Sequence, residues 1–497
     1  MLSFDFLNSL AGLITPISLL IAVLGVALGI VLGALPGVSS TMALAILLPV
    51  TFTMDQSNAI LFLMTIFVSS VFGGSVSAIL INIPGTPAAI VTQFDGYPMS
   101  RSGRPGEALA YALFSSTAGG LLGLLILSMA APLLVSVALE FKSPEFTMIA
   151  AFGLVLLAFS SSGSTIKGII VGAIGLICGM VGFDMMTDVE RFTFGGSALQ
   201  SGIDVVPLTV GLFGLAEVLK NVADRSNKNI SIPKITRILP PLKKLLSTWK
   251  VMIRGSVAGV FVGAIPAAGS AVAVAIAYAN EVKLSKTPEK FGTGCAEGIV
   301  APEAANSAGV GGSLIPMMTL GIPGDTITAV LMGALLVHGL RPGPMLFTSN
   351  PEFVTGVYAA LFIALILTFI VGLLSLRWMA AVMRIPTRVM MVLIALLCII
   401  GAFSIRSNIV DVYVMISFGC LGYIMNLLKI PVAPLAFGLI LGPMLEENLR
   451  RTLMISRGSW EVFIDRPIAL GLLVAIVLFI LAPFIKPLIR RIRFSMA

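Results

Sequence analysis

Four short stretches of this 497-residue chain set proline, glycine and hydroxyl side chains inside otherwise apolar runs. They are Pro36-Gly37-Val38-Ser39-Ser40-Thr41, Asn82-Ile83-Pro84-Gly85-Thr86, Pro266-Ala267-Ala268-Gly269-Ser270 and Ile322-Pro323-Gly324-Asp325-Thr326. Proline lacks an amide and its ring clashes with the preceding turn, so a helix stops or kinks at each. A stopped helix leaves backbone amides and carbonyls without partners. Amides at the positive end of a helix suit a carboxylate, whereas carbonyls and hydroxyls suit a hard cation such as Na+. Any single break is as well read as a kink packed with small residues. Four at symmetry-related places point to a binding site, with Ser39, Ser40, Asn82, Thr86, Ser270 and Asn306 as the expected Na+ ligands.

A second polar run, Glu297-Gly298 through Pro302-Glu303-Ala304-Ala305-Asn306-Ser307, lies in an apolar segment. Glu303 and Asn306 are three residues apart and share a helix face. A carboxylate in such a segment is costly and points to function by default. Glu297 reads equally well as the end of a polar loop. Asn82 and Asn306 serve either as hydrogen-bonding glue between helices or as ligands. The single histidine, His338, stands beside Gly339 at a helix end with no acidic neighbour, which favours capping or packing over proton relay. Glu217 and Glu446 sit late in corresponding helices, as interfacial charges do.

Membrane helices must position these groups. The chain is 57% hydrophobic and 11% charged, with mean hydropathy +1.06. Soluble domains carry about 25% charged residues, and a membrane span takes about 20 apolar residues. An all-α polytopic membrane protein follows. The net charge of +8 sits mostly in loops, where it reports topology and not nucleic-acid binding. Cys178, Cys295, Cys398 and Cys420 lack metal-ligand spacing and read as small core residues. The N-terminus has neither the basic stretch nor the cleavage site of a signal peptide. No P-loop, His/Cys cluster, catalytic dyad or charged voltage-sensor helix occurs, so ATP hydrolysis and enzymatic chemistry are not expected. A channel would more often show a continuous polar lining.

The first and third breaks belong to one repeated pattern. Gly25, Gly29, Gly33, Ala34 and Pro36 recur as Gly255, Gly259, Gly263, Ala264 and Pro266, each 230 residues later, and Ala43, Ala45 and Ile46 recur as Ala273, Ala275 and Ile276. The chain is a duplication. Repeat one is expected over 1–222, with a broken hairpin at about 10–50, a broken helix at about 60–94 and scaffold helices over 107–222. Repeat two is expected over 251–466, with a hairpin at about 251–280, a broken helix at about 294–338 and scaffold helices over 353–446. A basic linker, 223–250, separates them, and an extra helix with a basic tail occupies 467–497. Loop charge assigns sides. The linker, holding Arg225, Lys228, Lys234, Arg237, Lys243 and Lys244, is cytoplasmic, as are Asp95–Arg104, Glu281–Lys290 and the C-terminus. The loops 184–204 and 447–466 face outside, although the second carries Arg450, Arg451, Arg457 and Arg466. Each hairpin then re-enters from one side, and the repeats are inverted.

The chain closely resembles the large membrane subunit of the tripartite tricarboxylate transporters, the TctA family, over nearly its whole length. The matching runs include Gly33-Ala-Leu-Pro-Gly37, Phe72-Gly-Gly-Ser75, Ile83-Pro-Gly-Thr86, Asp95-Gly-Tyr-Pro98, Ala301-Pro-Glu303-Ala-Ala-Asn306, Leu320-Gly-Ile-Pro-Gly324 and Leu441-Gly-Pro-Met-Leu-Glu446. The resemblance implies a secondary importer of tri- and dicarboxylates in the bacterial inner membrane, coupled to Na+ or alternatively to H+, with no covalent cofactor. It implies two partners, a small four-helix membrane subunit (TctB-like) and a periplasmic solute-binding protein (TctC-like). It also implies an elevator-type architecture in which hairpins and broken helices move against a scaffold. The chain departs from the family pattern at Ala267, Ser307 and Asp325. A carboxylate at position 325 would repel an anion unless neutralised.

Overall fold

The computed structural model describes residues 2–160, 165–184, 186–223, 235, 239–266, 268–382 and 387–495. Ala267 and the linker residues Arg225, Lys228, Lys234 and Arg237 lie outside the described residues. The first helices are α1 (Leu2–Leu13), α2 (Pro16–Ala34), α3 (Ser40–Leu47), α4 (Gln56–Ile81), α5 (Ala89–Arg101), α6 (Pro105–Ala138), α7 (Ser143–Ser160) and α8 (Thr165–Gly179). Strands β1 (Gly182–Phe183) and β2 (Glu190–Arg191) pair antiparallel. Then come α9 (Val205–Thr209), a π-helical turn at Val210–Leu215, α10 (Ala216–Ala223), α11 (Leu242–Ser247), α12 (Trp249–Gly263), α13 (Gly269–Leu284), α14 (Glu297–Leu320) and α15 (Thr326–Val337). The last are α16 (Pro344–Ser349), α17 (Pro351–Ser375), α18 (Met379–Val382), α19 (Thr387–Ser404), α20 (Ile409–Leu427), α21 (Ala433–Ile455), α22 (Val462–Asp465) and α23 (Pro467–Ser495).

Among the described residues, six helical stretches are long and apolar enough to cross a membrane: α2, α4, α6, the run from α9 to α10, α17 and α20. The molecule is an all-α polytopic membrane protein. Within the stretch 107–222, where scaffold helices are expected, the apolar α8 has 15 residues and is shorter than a full span.

Helices stop at all four expected breaks, and local chemistry explains the stops. Ser39 caps α3 by accepting from the Met42 amide at 3.2 Å, and Asp325 caps α15 by accepting from the Thr328 amide at 2.8 Å. Asn82 (φ 59°) and Gly321 (φ 70°) end α4 and α14 in the left-handed conformation.

The chain forms two compact units, and neither coincides with a half of the sequence. The first comprises 1–135 and 206–423, and the second 136–205 and 424–497. In the first unit, α4 and α14 are buried along almost their whole length, as helices apolar on every face must be. The duplicated glycines seat a partner on each. A Cβ at Gly33 would lie 2.3 Å from the Ser70 carbonyl of α4, and one at Gly259 would lie 2.2 Å from the Ala305 carbonyl of α14. Both seams are small-residue contacts in which backbones touch.

Three loop assignments are corrected. Asp95–Arg101 is helical, as part of α5, and Pro98 sits within it. Helix α13 runs on to Leu284, where Glu281 forms an ion pair with Arg254 of α12. Helix α21 runs on to Ile455, so Arg450 and Arg451 lie on a helix that continues the expected crossing. The cysteines are only partly core residues: Cys398 is buried, Cys178 and Cys295 are half-buried, and Cys420 is exposed.

The second unit gives acidic partners to Arg450 and Arg466 of the stretch 447–466. Arg450 binds Asp184 at 2.6 Å and Glu446 at 3.2 Å, Arg191 binds Glu446 at 2.5 Å, and Arg466 pairs with Glu145. The loop 184–204 is thereby tied to the end of α21. The Thr187 hydroxyl, then the Arg450 guanidinium, hold the Asp184 carboxyl below the ordinary carboxylate range. A group whose pKa is lowered by folding stabilises the fold above its unfolded value and loses that effect in acid. The protection of the Asp184 and Asp188 amides, taken relative to unstructured-peptide rates at each pH, should therefore hold from neutral pH down to about pH 4 and fall below it. Asp184→Asn should show lower protection at neutral pH with no fall below about pH 4; equal protection in the two proteins would contradict this.

Candidate functional site

The site is built where helices stop, and the first unit brings several stops together. The first and fourth breaks touch: Thr41 Oγ1 of α3 lies 2.8 Å from Thr326 Oγ1 of α15, across 285 residues. Two helix N-termini therefore meet, each carrying the positive end of its dipole. Beside them the Ser40 hydroxyl is buried with no hydrogen-bond partner, which is uncommon for a buried polar atom. Gly37, at φ +83°, presents its carbonyl to the Asn221 Nδ2 of α10 at 3.1 Å, and a Cβ there would strike Asn221. Pro36 is half-buried in this turn.

The second break packs beside the first. The Gly85 amide donates to the Gly74 carbonyl of α4 at 3.1 Å, and a Cβ at Gly85 would lie 2.4 Å from the Gly33 carbonyl. Pro84 is half-buried, and Thr86 is buried against Gly74 with its hydroxyl unpartnered. The third break reaches α14 through Ser270, whose Cβ lies 3.8 Å from the position of a Cβ on Gly309. The buried Pro323 and Gly324 lay the fourth break on Ser313 of α14, where a Cβ at Gly324 would lie 2.6 Å from the Ser313 Cα.

Helix α14 carries Glu303, Asn306 and Ser307, all buried. Glu303 accepts from Ser75 and Thr92, each at 2.5 Å, and from Ser116 at 3.3 Å. Ser116 and Ser307 are 2.7 Å apart. Asn306 is 2% exposed and its Nδ2 has no partner. Ser40, Thr86 and Asn306, three of the expected cation or substrate ligands, are thus buried polar groups with hydrogen-bonding capacity left over.

Other expectations meet different roles. Ser39 uses its oxygen as a helix cap. Asn82 is an exposed helix end and not glue between helices. No neighbour comes within 4 Å of a Cβ on Gly269, and Pro266 is half-buried at the same turn. Asp325 turns its carboxylate onto the first turn of α15, bonding the amide and the hydroxyl of Thr328, which accounts for an acid at that position. His338 ends α15 with Nε2 3.3 Å from Thr51 Oγ1. Glu217 pairs with Lys220 at 2.8 Å.

Asp95 is the main residue that sequence reasoning missed. Its buried carboxylate accepts from the amides of Gly292, Gly294 and Cys295 at 2.9 to 3.0 Å and from the Tyr278 hydroxyl at 2.9 Å. Gly292 (φ +83°) and Gly294 (φ +100°) turn those amides inward, forming an anion nest of backbone donors. Only the run Asp95-Gly-Tyr-Pro98 hinted at it.

Broken helices that meet inside the first unit of an all-α polytopic membrane protein leave buried polar groups unsatisfied at their junction. The chain belongs to the tripartite tricarboxylate transporter TctA family, whose model matches residues 19–437. It is therefore a component of a multi-subunit transporter. It is 39% identical over 476 residues to an "uncharacterized 52.8 kDa protein in TAR-I ttuC' 3'region" of Agrobacterium vitis, covering 95% of each chain. It is also 39% identical over 231 residues to an "uncharacterized protein in TAR-II ttuC' 3'region" of the same organism, covering 46% of this chain and 96% of that one. No solved structure matches the chain.

Proposed function

We propose that the chain is the permease subunit of a binding-protein-dependent secondary transporter that imports tri- and dicarboxylates across the bacterial inner membrane. Import is coupled to Na+; coupling to H+ is the alternative. The observation that carries this reading is the Thr41–Thr326 contact at 2.8 Å. It joins the N-termini of α3 and α15 beside an unpartnered Ser40 hydroxyl, and paired helix N-termini favour an anion such as a carboxylate. Asn306 offers a further unpartnered donor on α14. Within this reading the hairpins and broken helices form the moving body of an elevator built from two inverted repeats. The duplicated glycine seams support it, because each hairpin is seated on its broken helix in the same way. The partners are a small TctB-like membrane subunit and a TctC-like periplasmic binding protein, and the linker 223–250 and C-terminus face the cytoplasm. Na+ fits the oxygen-rich breaks, where Ser40 and Thr86 retain free lone pairs.

Asn306→Ala should reduce carboxylate uptake at least about tenfold, the loss of one buried polar contact to a charged ligand. Membrane insertion and subunit assembly should be unchanged. Uptake at the wild-type rate would remove Asn306 from the site.

A further inference from the structure

Glu303 is a carboxylate taken fully out of solvent with no cation beside it. It is 0% exposed, and among the described residues no Lys, Arg or His forms an ion pair with it. Three acids on neighbouring helices are engaged elsewhere. Asp95 of α5 is held by the 292–295 amides, Glu107 of α6 pairs with Arg104, and Glu281 of α13 pairs with Arg254 of α12. On α14 itself, Glu297 lies six residues earlier, in the first turn. A buried charge without a counter-charge is strongly disfavoured, so such a group takes up a proton or a cation.

The hydrogen-bond partners of Glu303 are all hydroxyls. Ser75 of α4, Thr92 of α5 and Ser116 of α6 bond its two oxygens, and Ser307 closes the ring through Ser116. Each hydroxyl has one proton to donate and two lone pairs to offer. With the carboxylate, they make an all-oxygen set drawn from four helices, the donor chemistry of a hard cation. One carboxylate neutralises one positive charge, which selects a monovalent ion over a divalent one. Ser75 adjoins Gly74, whose carbonyl takes the Gly85 amide at 3.1 Å, so the cage is one residue from the second break.

We propose that this cage of Glu303, Ser75, Thr92, Ser116 and Ser307 is the seat of the coupling Na+. The proposal rests on the cation-coupled reading above and moves the ion from the break hydroxyls to the interior of α14. Seated there, the ion lies between α4, α5, α6 and α14, and a change in its occupancy is felt at the Gly85 turn.

Na+ binding to the purified full chain, without substrate, tests it directly. Na+ should raise the melting midpoint of the detergent-solubilised protein, because a ligand that binds only the folded state stabilises it. K+ and choline at equal ionic strength should not. Glu303→Gln should abolish the Na+ response. Thr92→Val, which keeps the carboxylate and the side-chain shape, should raise the half-saturating Na+ concentration at least about tenfold. A Na+ response retained by both variants overturns the cage while leaving Na+ coupling standing. No Na+ response in the wild type, or one replaced by a pH-dependent midpoint that Glu303→Gln removes, overturns the Na+ seat. Na+-gradient-driven uptake, measured separately, shows whether the coupling reading falls with it.

Discussion

Asp95→Ala should destabilise the folded protein by about 2–4 kcal/mol, a figure set by three half-buried donors losing one shared acceptor. Its carboxylate takes three backbone amides and the Tyr278 hydroxyl at 2.9 to 3.0 Å. Truncation leaves the half-buried Gly294, Cys295 and Tyr278 donors without this partner, and a group that stays out of water costs about 1–3 kcal/mol, whereas the exposed Gly292 amide turns to solvent. The amides belong to 292–295, which lead into α14, and Tyr278 belongs to α13. Their loss therefore frees the start of α14 from α5 and from the second hairpin. Asp95→Asn should be nearly as harmful, because an amide supplies one acceptor oxygen and turns an N–H2 toward the same donors. Yield of monodisperse protein in detergent and the melting midpoint are the readouts. A midpoint close to wild type for Asp95→Ala would mean that the amides find water or another acceptor.

Gly259→Val should abolish folding of the first unit. A Cβ there would sit 2.2 Å from the Ala305 carbonyl and 2.8 Å from its Cα. Overpacking against movable side chains costs about 1–3 kcal/mol; here the obstacle is helix backbone, which moves only if α12 lifts off α14. Gly33→Val should fail in the same way against Ser70 of α4. Gly356→Ala in α17 is the control, since no atom lies within 4 Å of a Cβ at that position, and alanine is the better helix former. Normal membrane expression of Gly259→Val would show that the seam opens without cost.

These two cases mark how far the sequence could be read. The glycine seam was visible as a repeat with a 230-residue offset, because close helix contact admits few residue types and leaves a local pattern. The four breaks were visible for the same reason: proline, glycine and capping residues act on their own turn. Asp325 shows the boundary. Its position at a break was legible, but its partner, Thr328, explains it as a cap where charge alone had made it a problem. Contacts between distant segments left no such trace. Nothing near Thr41 points to Thr326, and nothing near Asp95 points to Gly292 and Gly294. The residue read as a loop charge proved to be a buried acceptor because its donors lie almost 200 residues away. Glu303 was singled out by its apolar surroundings, yet the hydroxyls that ring it come from three other helices. Asn221 of α10 closes the turn at Gly37 across 184 residues. Loop charge misplaced helix ends at 95–104 and 447–466, since Arg450 answers to Asp184 and Glu446 across the second unit.

The central claim is that this subunit moves a carboxylate with Na+ and needs a binding protein to do so. Uptake into liposomes tests it most directly. The chain and its small membrane partner would be reconstituted together, with the binding protein outside and a panel of labelled di- and tricarboxylates supplied with and without an inward Na+ gradient. Saturable accumulation of one carboxylate class that requires both the Na+ gradient and the binding protein is the predicted result. Accumulation driven only by a proton gradient would contradict the choice of ion, and no carboxylate uptake under any gradient would contradict the substrate class.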